Sequence, residues 1–139
     1  MSRLVLDASV ALSWFIDRPI APGALRAKQF LARGGRAVVP ALWRVEIANG
    51  LVVAERRKVV TSSETAMVLQ QYGMLLTQSI DSIQEPIRMQ RVVATARQFQ
   101  LTAYDACYLE LARDLQLPLA TLDRRLGEAA ALAGVTLFS

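Results

Sequence analysis

Short, almost uninterrupted apolar runs alternate along this chain with longer segments in which apolar residues recur every three or four positions. The runs at residues 3–6, 37–39, 79–83, 117–121 and 135–138 predict strands, the third being the weakest. The periodic segments predict helices over about 9–16, 22–33, 41–58, 62–78, 86–99, 103–115 and 124–133. Strands without polar alternation are strands buried on both faces. The pattern therefore predicts an α/β fold of three layers, a central, mostly parallel five-stranded sheet flanked by helices.

Local punctuation agrees with this division. Pro22 and Pro86 suit first helical turns, Gly34 and Gly35 permit a left-handed exit, Ser62 or Ser63 offers a cap, and Gly134 ends the last helix. At 139 residues, with no repeat, linker or low-complexity stretch, the chain is expected to form one domain over residues 1–139. Asp7 interrupts the apolar N-terminal run, and Trp14, Phe15 and Asp17 spoil a small-residue cleavage site. No export signal is read there. Apolar stretches all fall short of the roughly 18 residues of a spanning helix, so a soluble, cytoplasmic chain with no membrane partner is expected.

Composition narrows the chemistry. The chain has no histidine, which removes histidine bases, Ser-His-Asp triads and imidazole metal sites together. Its one cysteine, Cys107, lies in an apolar helical stretch (AYDACYLELA) and reads as a small core residue of a reducing compartment. The net charge of +4 comes almost wholly from arginine, the better fork for phosphate oxygens, and makes a polyanionic partner plausible.

Four carboxylates then stand out. Asp7 closes the first apolar run (LVLD) and Asp123 a late one (LATLD), so both sit where a buried strand turns into a helix. Glu46 shares a helical face with Leu42, Trp43, Asn49, Gly50 and Val53, while Arg44 and Glu55 point away. Asp105 lies among Leu101, Tyr108, Leu109 and Ala112, opposite Glu110 and Asp114. Helix capping competes as an explanation for Asp7 and Asp123, and a capping box with Thr102 for Asp105. Two strand-end acids and two inward helical acids exceed what caps explain. Clustered anions need a counter-ion, and hard oxygen donors favour magnesium or manganese.

The remaining acids are expected on solvated faces or in loops, Glu110 and Asp114 among them, with Asp81 a further candidate beside the weak third strand. Trp14, Trp43, Phe99, Tyr104 and Tyr108 have spacings typical of core or subunit contact. The region 41–78, with Leu51, Val52, Val53, Met67, Val68 and Leu69, is more apolar than one small sheet needs. Part of it is expected to meet a partner.

On these positions the chain resembles the PIN-domain ribonucleases, most nearly the VapC-type toxins of type II toxin-antitoxin pairs. The resemblance spans essentially all of the chain. It is carried by LVLDASVALSWF, VPALWRVEIANGLVVAERR and LTAYDACYLELARDLQLPLATLDRRL in that order. It implies that Asp7, Glu46, Asp105 and Asp123 are the catalytic carboxylates, with Ser9 and Thr121 as supporting hydroxyls. It also implies that strands one and four are neighbours. Many relatives carry another acidic or aromatic residue after the last aspartate, where this chain continues Arg124, Arg125, Leu126, which leaves one metal ion or two open.

The resemblance further implies a magnesium-dependent endoribonuclease, with manganese as a substitute. Asp7 and Asp105 would be ligands, joined by Glu46 and Asp123, and Arg124 and Arg125 would hold RNA phosphates. A cognate antitoxin and a homodimer are the implied protein partners. Two alternatives stand beside it: a stand-alone RNA-processing nuclease, and an inactive α/β binding module whose acids are caps and ion pairs. Receiver domains are disfavoured for want of a strand-end lysine. Haloacid-dehalogenase-like phosphatases are disfavoured because Ser9 stands where they expect a second aspartate.

Overall fold

Leu4, Val5 and Leu6 are each fully buried, and because successive strand residues point to opposite faces, the strand they form is covered on both. That strand, β1 (Arg3–Leu6), lies in a four-stranded sheet with β2 (Arg36–Pro40), β3 (Ile80–Ile83) and β4 (Leu119–Ala120). The computed structural model describes residues 2–139. The order is β3-β2-β1-β4, and all pairs run parallel. Val5 aligns with Val38 on one side and Leu119 on the other. The chain therefore leaves β1 towards β2 and returns beside it as β4, so the carboxyl ends of β1 and β4 meet where the strand order reverses.

Among the described residues seven helices flank these strands, the first six between strands and the last after β4: α1 (Ala8–Ile16), α2 (Pro22–Ala32), α3 (Leu42–Arg56), α4 (Ser62–Gln78), α5 (Met89–Phe99), α6 (Ala103–Leu115) and α7 (Arg124–Leu132). Parallel strands require such crossovers. Trp43, Ile47, Tyr108, Leu109 and Leu126 bring helical side chains into the same core as β1. α1 packs closely on α3 because position 50 has no side chain. A Cβ there would stand 2.5 Å from Leu12 Cδ1, so the α3 backbone is free to approach.

Several expectations change. The sheet has four strands, not five: residues 135–138 make a single parallel bridge, Leu137 to Leu119. β4 presents only Leu119 to that segment, through bonds to Thr136 O and Phe138 N at 2.9 Å each, and Pro118 has no N–H with which to extend the ladder. Pro86 lies outside α5, which starts at Met89. The cap of α4 is Thr61, not Ser62 or Ser63: its hydroxyl accepts from Glu64 N–H while Glu64 accepts from Thr61 N–H, a complete capping box. That reciprocal pair holds the Glu64 carboxyl below its ordinary range.

Glu110 is not on a solvated face. It is 9% exposed, accepts from the Thr95 hydroxyl at 3.1 Å, and pairs with Arg91 at 3.0 Å and Arg113 at 3.6 Å. Arg91 from α5 and Arg113 from α6 itself supply the cations that make this burial tolerable. Asp81 is taken up by Arg36, which donates to both of its oxygens, and the pairing lowers its carboxyl pKa. It has no part in the constellation of the other acids.

Candidate active site

Asp7 sits at the N-cap position of α1, yet its side chain makes no capping bond. Capping therefore does not explain it. Its carboxylate, 5% exposed, instead accepts two hydroxyls on one oxygen: Ser9 Oγ and Thr121 Oγ1 each lie 2.7 Å from Oδ2. Both hydroxyls are fixed in turn. Ser9 accepts from Leu122 N–H and Thr121 from Asp123 N–H, at 3.0 Å each, so each spends its one proton on Asp7. The loop leaving β4 is thereby fastened to the end of β1.

Asp123 is the N-cap of α7 and does cap it, accepting from Leu126 N–H at 3.0 Å through Oδ1. Here the bland explanation holds in part, for one oxygen is committed and the residue is exposed. Asp105 stands in the first turn of α6, whose cap Thr102 accepts from Asp105 N–H at 3.1 Å. Glu46 projects from α3 and is half-buried; the Tyr108 hydroxyl donates to its Oε1 at 2.6 Å.

These four acids act on one another. Burial pushes the Asp7 carboxyl up, the hydroxyls of Ser9 and Thr121 pull it back, and the charge of Asp123 raises it again. Asp105 is pushed up to about 6, chiefly by burial and then by Asp123 and Asp7. Glu46 is raised by burial, against the Tyr108 bond, with Asp7 and Asp105 adding to the rise. Sequence positions spread from 7 to 123 thus share one electrostatic neighbourhood. The ion pairs among the described residues involve other acids: Asp81, Glu110, Asp114 and Glu128.

An uncompensated group of carboxylates is suited to a divalent cation, and oxygen-only donors suit magnesium or manganese. Among the described residues, however, no three His, Cys, Asp or Glu side chains form a finished metal cage. Any ion held there would keep most of its waters. Magnesium usually keeps several waters and takes one or two carboxylates, completing its shell with substrate phosphate.

The cations near the site are few. Arg124 and Arg125 are exposed; the first pairs with Glu128 at 3.0 Å along α7, and the charge of the second reaches Asp105. Cys107 is buried and burial pushes its thiol up, in keeping with a core role. Beside α6 lies an apolar cavity of about 430 Å³, lined in part by Leu42, Pro86, Tyr104, Cys107 and Leu111, and none of the four acids lines it.

Tyr108 has a contact that periodicity alone does not show. It is fully buried, as a core residue should be, but its hydroxyl serves Glu46. The signal was present in the i, i+3 spacing from Asp105, which puts both on one face of α6.

A PIN-domain family profile matches residues 4–132. In fold the chain is similar to the crystal structure of PAE2754 from Pyrobaculum aerophilum, with a TM-score of 0.63 and 22% identity over 93% of this chain and 84% of that one. No curated protein matches significantly. PIN domains are in general nucleases and typically use divalent metals. With 4–132 matched, the chain belongs to the PIN-domain family.

Proposed function

We propose that this chain is a metal-dependent endoribonuclease that hydrolyses RNA phosphodiester bonds, and that it is the toxin of a toxin-antitoxin pair neutralised by a cognate antitoxin. One observation carries the nuclease reading. Asp7 is buried at a helix start it does not cap, with both neighbouring hydroxyls on a single oxygen and three other acids raising or sharing its field.

In this reading Asp7 and Asp105 would hold magnesium, while Glu46 and Asp123 would act on the ion's waters, Asp123 orienting the attacking one. The bound ion supplies charge neutralisation for the scissile phosphate and a lowered water pKa. Ser9 and Thr121 keep Asp7 in one rotamer. Arg124 and Arg125 contribute salt-sensitive affinity for flanking phosphates. Histidine is unnecessary at every stage.

Exposed apolar residues support the partner reading. Leu51 and Val68 enter the core, but Val52, Met67, Leu69 and Met74 are 40%, 61%, 52% and 63% exposed. An antitoxin or a second copy of the chain would cover such residues. No helix among the described residues is long and apolar enough to cross a membrane.

The test is expression of wild type beside Asp7→Asn without antitoxin, with new RNA ends mapped and the purified proteins assayed with magnesium and manganese. Growth arrest and cleavage confined to wild type support the full reading. Cleavage in vitro without arrest moves the protein to stand-alone RNA processing. Equal activity of the two proteins removes Asp7 from the mechanism.

A further inference from the structure

We propose that Tyr108 is a positioning residue for the metal site: its hydroxyl fixes one oxygen of Glu46 and leaves the other free for an ion or one of its waters. This rests on the metal-dependent reading above and adds to it a residue outside the four acids and two hydroxyls.

The argument is geometric. Glu46 belongs to α3 and Tyr108 to α6, 62 residues apart, and the hydroxyl reaches Oε1 at 2.6 Å. The two partners differ in freedom. Tyr108 is fully buried in the main core, so its ring has one place to be. Glu46 is half-buried on a flexible two-methylene stem. A rigid donor therefore selects among the conformers of a mobile acceptor, which lowers the entropy Glu46 would lose on binding an ion.

Position on α6 strengthens the case. Tyr108 follows Asp105 by three residues, on the same helical face. One rigid helix thus delivers an acid of the site and the donor that aligns a second acid from another helix. A phenol engaged only in packing needs no carboxylate partner at that distance. Hydrogen-bonding partners behind metal ligands typically contribute 10- to 100-fold in metal affinity.

The experiment is manganese titration by calorimetry, in the absence of RNA, on wild type, Tyr108→Phe, Glu46→Ala and the double variant. Circular dichroism and thermal unfolding run alongside. Tyr108→Phe is expected to stay folded and to lose about 10-fold in manganese affinity. In the Glu46→Ala background the same change is expected to do nothing further. An effect of equal size in both backgrounds, or none in either, overturns the proposal, since a merely structural tyrosine would not act through Glu46. Absence of manganese binding by wild type would instead overturn the metal-dependent reading itself. Should Tyr108→Phe not fold, a manganese-bound crystal of wild type decides. Glu46 bridging Tyr108 and the ion or one of its waters sustains the proposal, and Glu46 turned from either side ends it.

Discussion

The Thr121 hydroxyl donates to Asp7 Oδ2 at 2.7 Å across 114 residues of chain, binding the carboxyl end of β4 to that of β1. The same hydroxyl accepts from Asp123 N–H. Thr121→Val keeps the shape and removes both bonds. It is expected to destabilise the metal-free protein by about 1–2 kcal/mol and to slow cleavage. Urea unfolding at neutral pH checks the first, and an unchanged midpoint would show that water replaces the hydroxyl without loss.

The acids themselves should behave in the opposite sense. Asp7→Asn and Asp105→Asn each remove a charge from a neighbourhood that opposes it. Both variants are expected to melt higher than wild type without metal, by on the order of 1 kcal/mol, while losing metal-dependent cleavage. Melting curves with and without manganese test this. A fall in the metal-free melting temperature of both variants would contradict it.

The pH dependence has a definite sign. Asp105 titrates near 6 in the folded chain against an ordinary value of 3.8, and Asp7 and Glu46 are also raised. The folded state therefore holds protons that the unfolded state has released. Their contribution to stability is present at acid pH and is lost as pH rises from about 4 through about 6. Glu64 and Asp81, both lowered, act oppositely and oppose it most near and below pH 4. Metal-free wild type should thus melt higher at pH 5 than at pH 7.5, and Asp105→Asn should shrink the difference. Manganese affinity should run the other way, weakening below about pH 6 as protons compete. A melting difference that Asp105→Asn leaves untouched would place the titration elsewhere.

Glu110 joins α6 to α5 through Thr95 and Arg91, with Arg113 of its own helix beside it. Glu110→Ala leaves the buried Thr95 hydroxyl without this acceptor and Arg91 with Asp114 alone, and is expected to cost about 2 kcal/mol by urea unfolding. Manganese affinity should be nearly unchanged, because the network lies outside the site acids. A large loss of affinity would show that α6 relies on this clamp to place Asp105.

How much of this was legible beforehand depends on the range of the interaction. β1 and the α4 and α6 ranges follow from apolar runs and periodicity, which are local. Cap identity was less secure: Thr61, Ser62 and Ser63 all have hydroxyls, and only the reach of Glu64 back to Thr61 N–H selects among them. Glu110 misled because a helical wheel shows a face and not the neighbour, and α5 brings Arg91 to that face. The fifth strand failed for a similar reason, since an apolar run cannot show how few partners β4 offers.

By itself the sequence determined that strands and helices alternate, that histidine chemistry is excluded, and that four acids fall at strand ends or on apolar helical faces. Those properties depend on residue identity and short spacing. Tertiary structure alone decided that β4 returns beside β1, that both hydroxyls bind one oxygen of Asp7, and that Tyr108 serves Glu46. Hydrogen bonds have a reach of about 3 Å, so partners 62 or 114 residues apart exist only once packing of the core has brought their elements together.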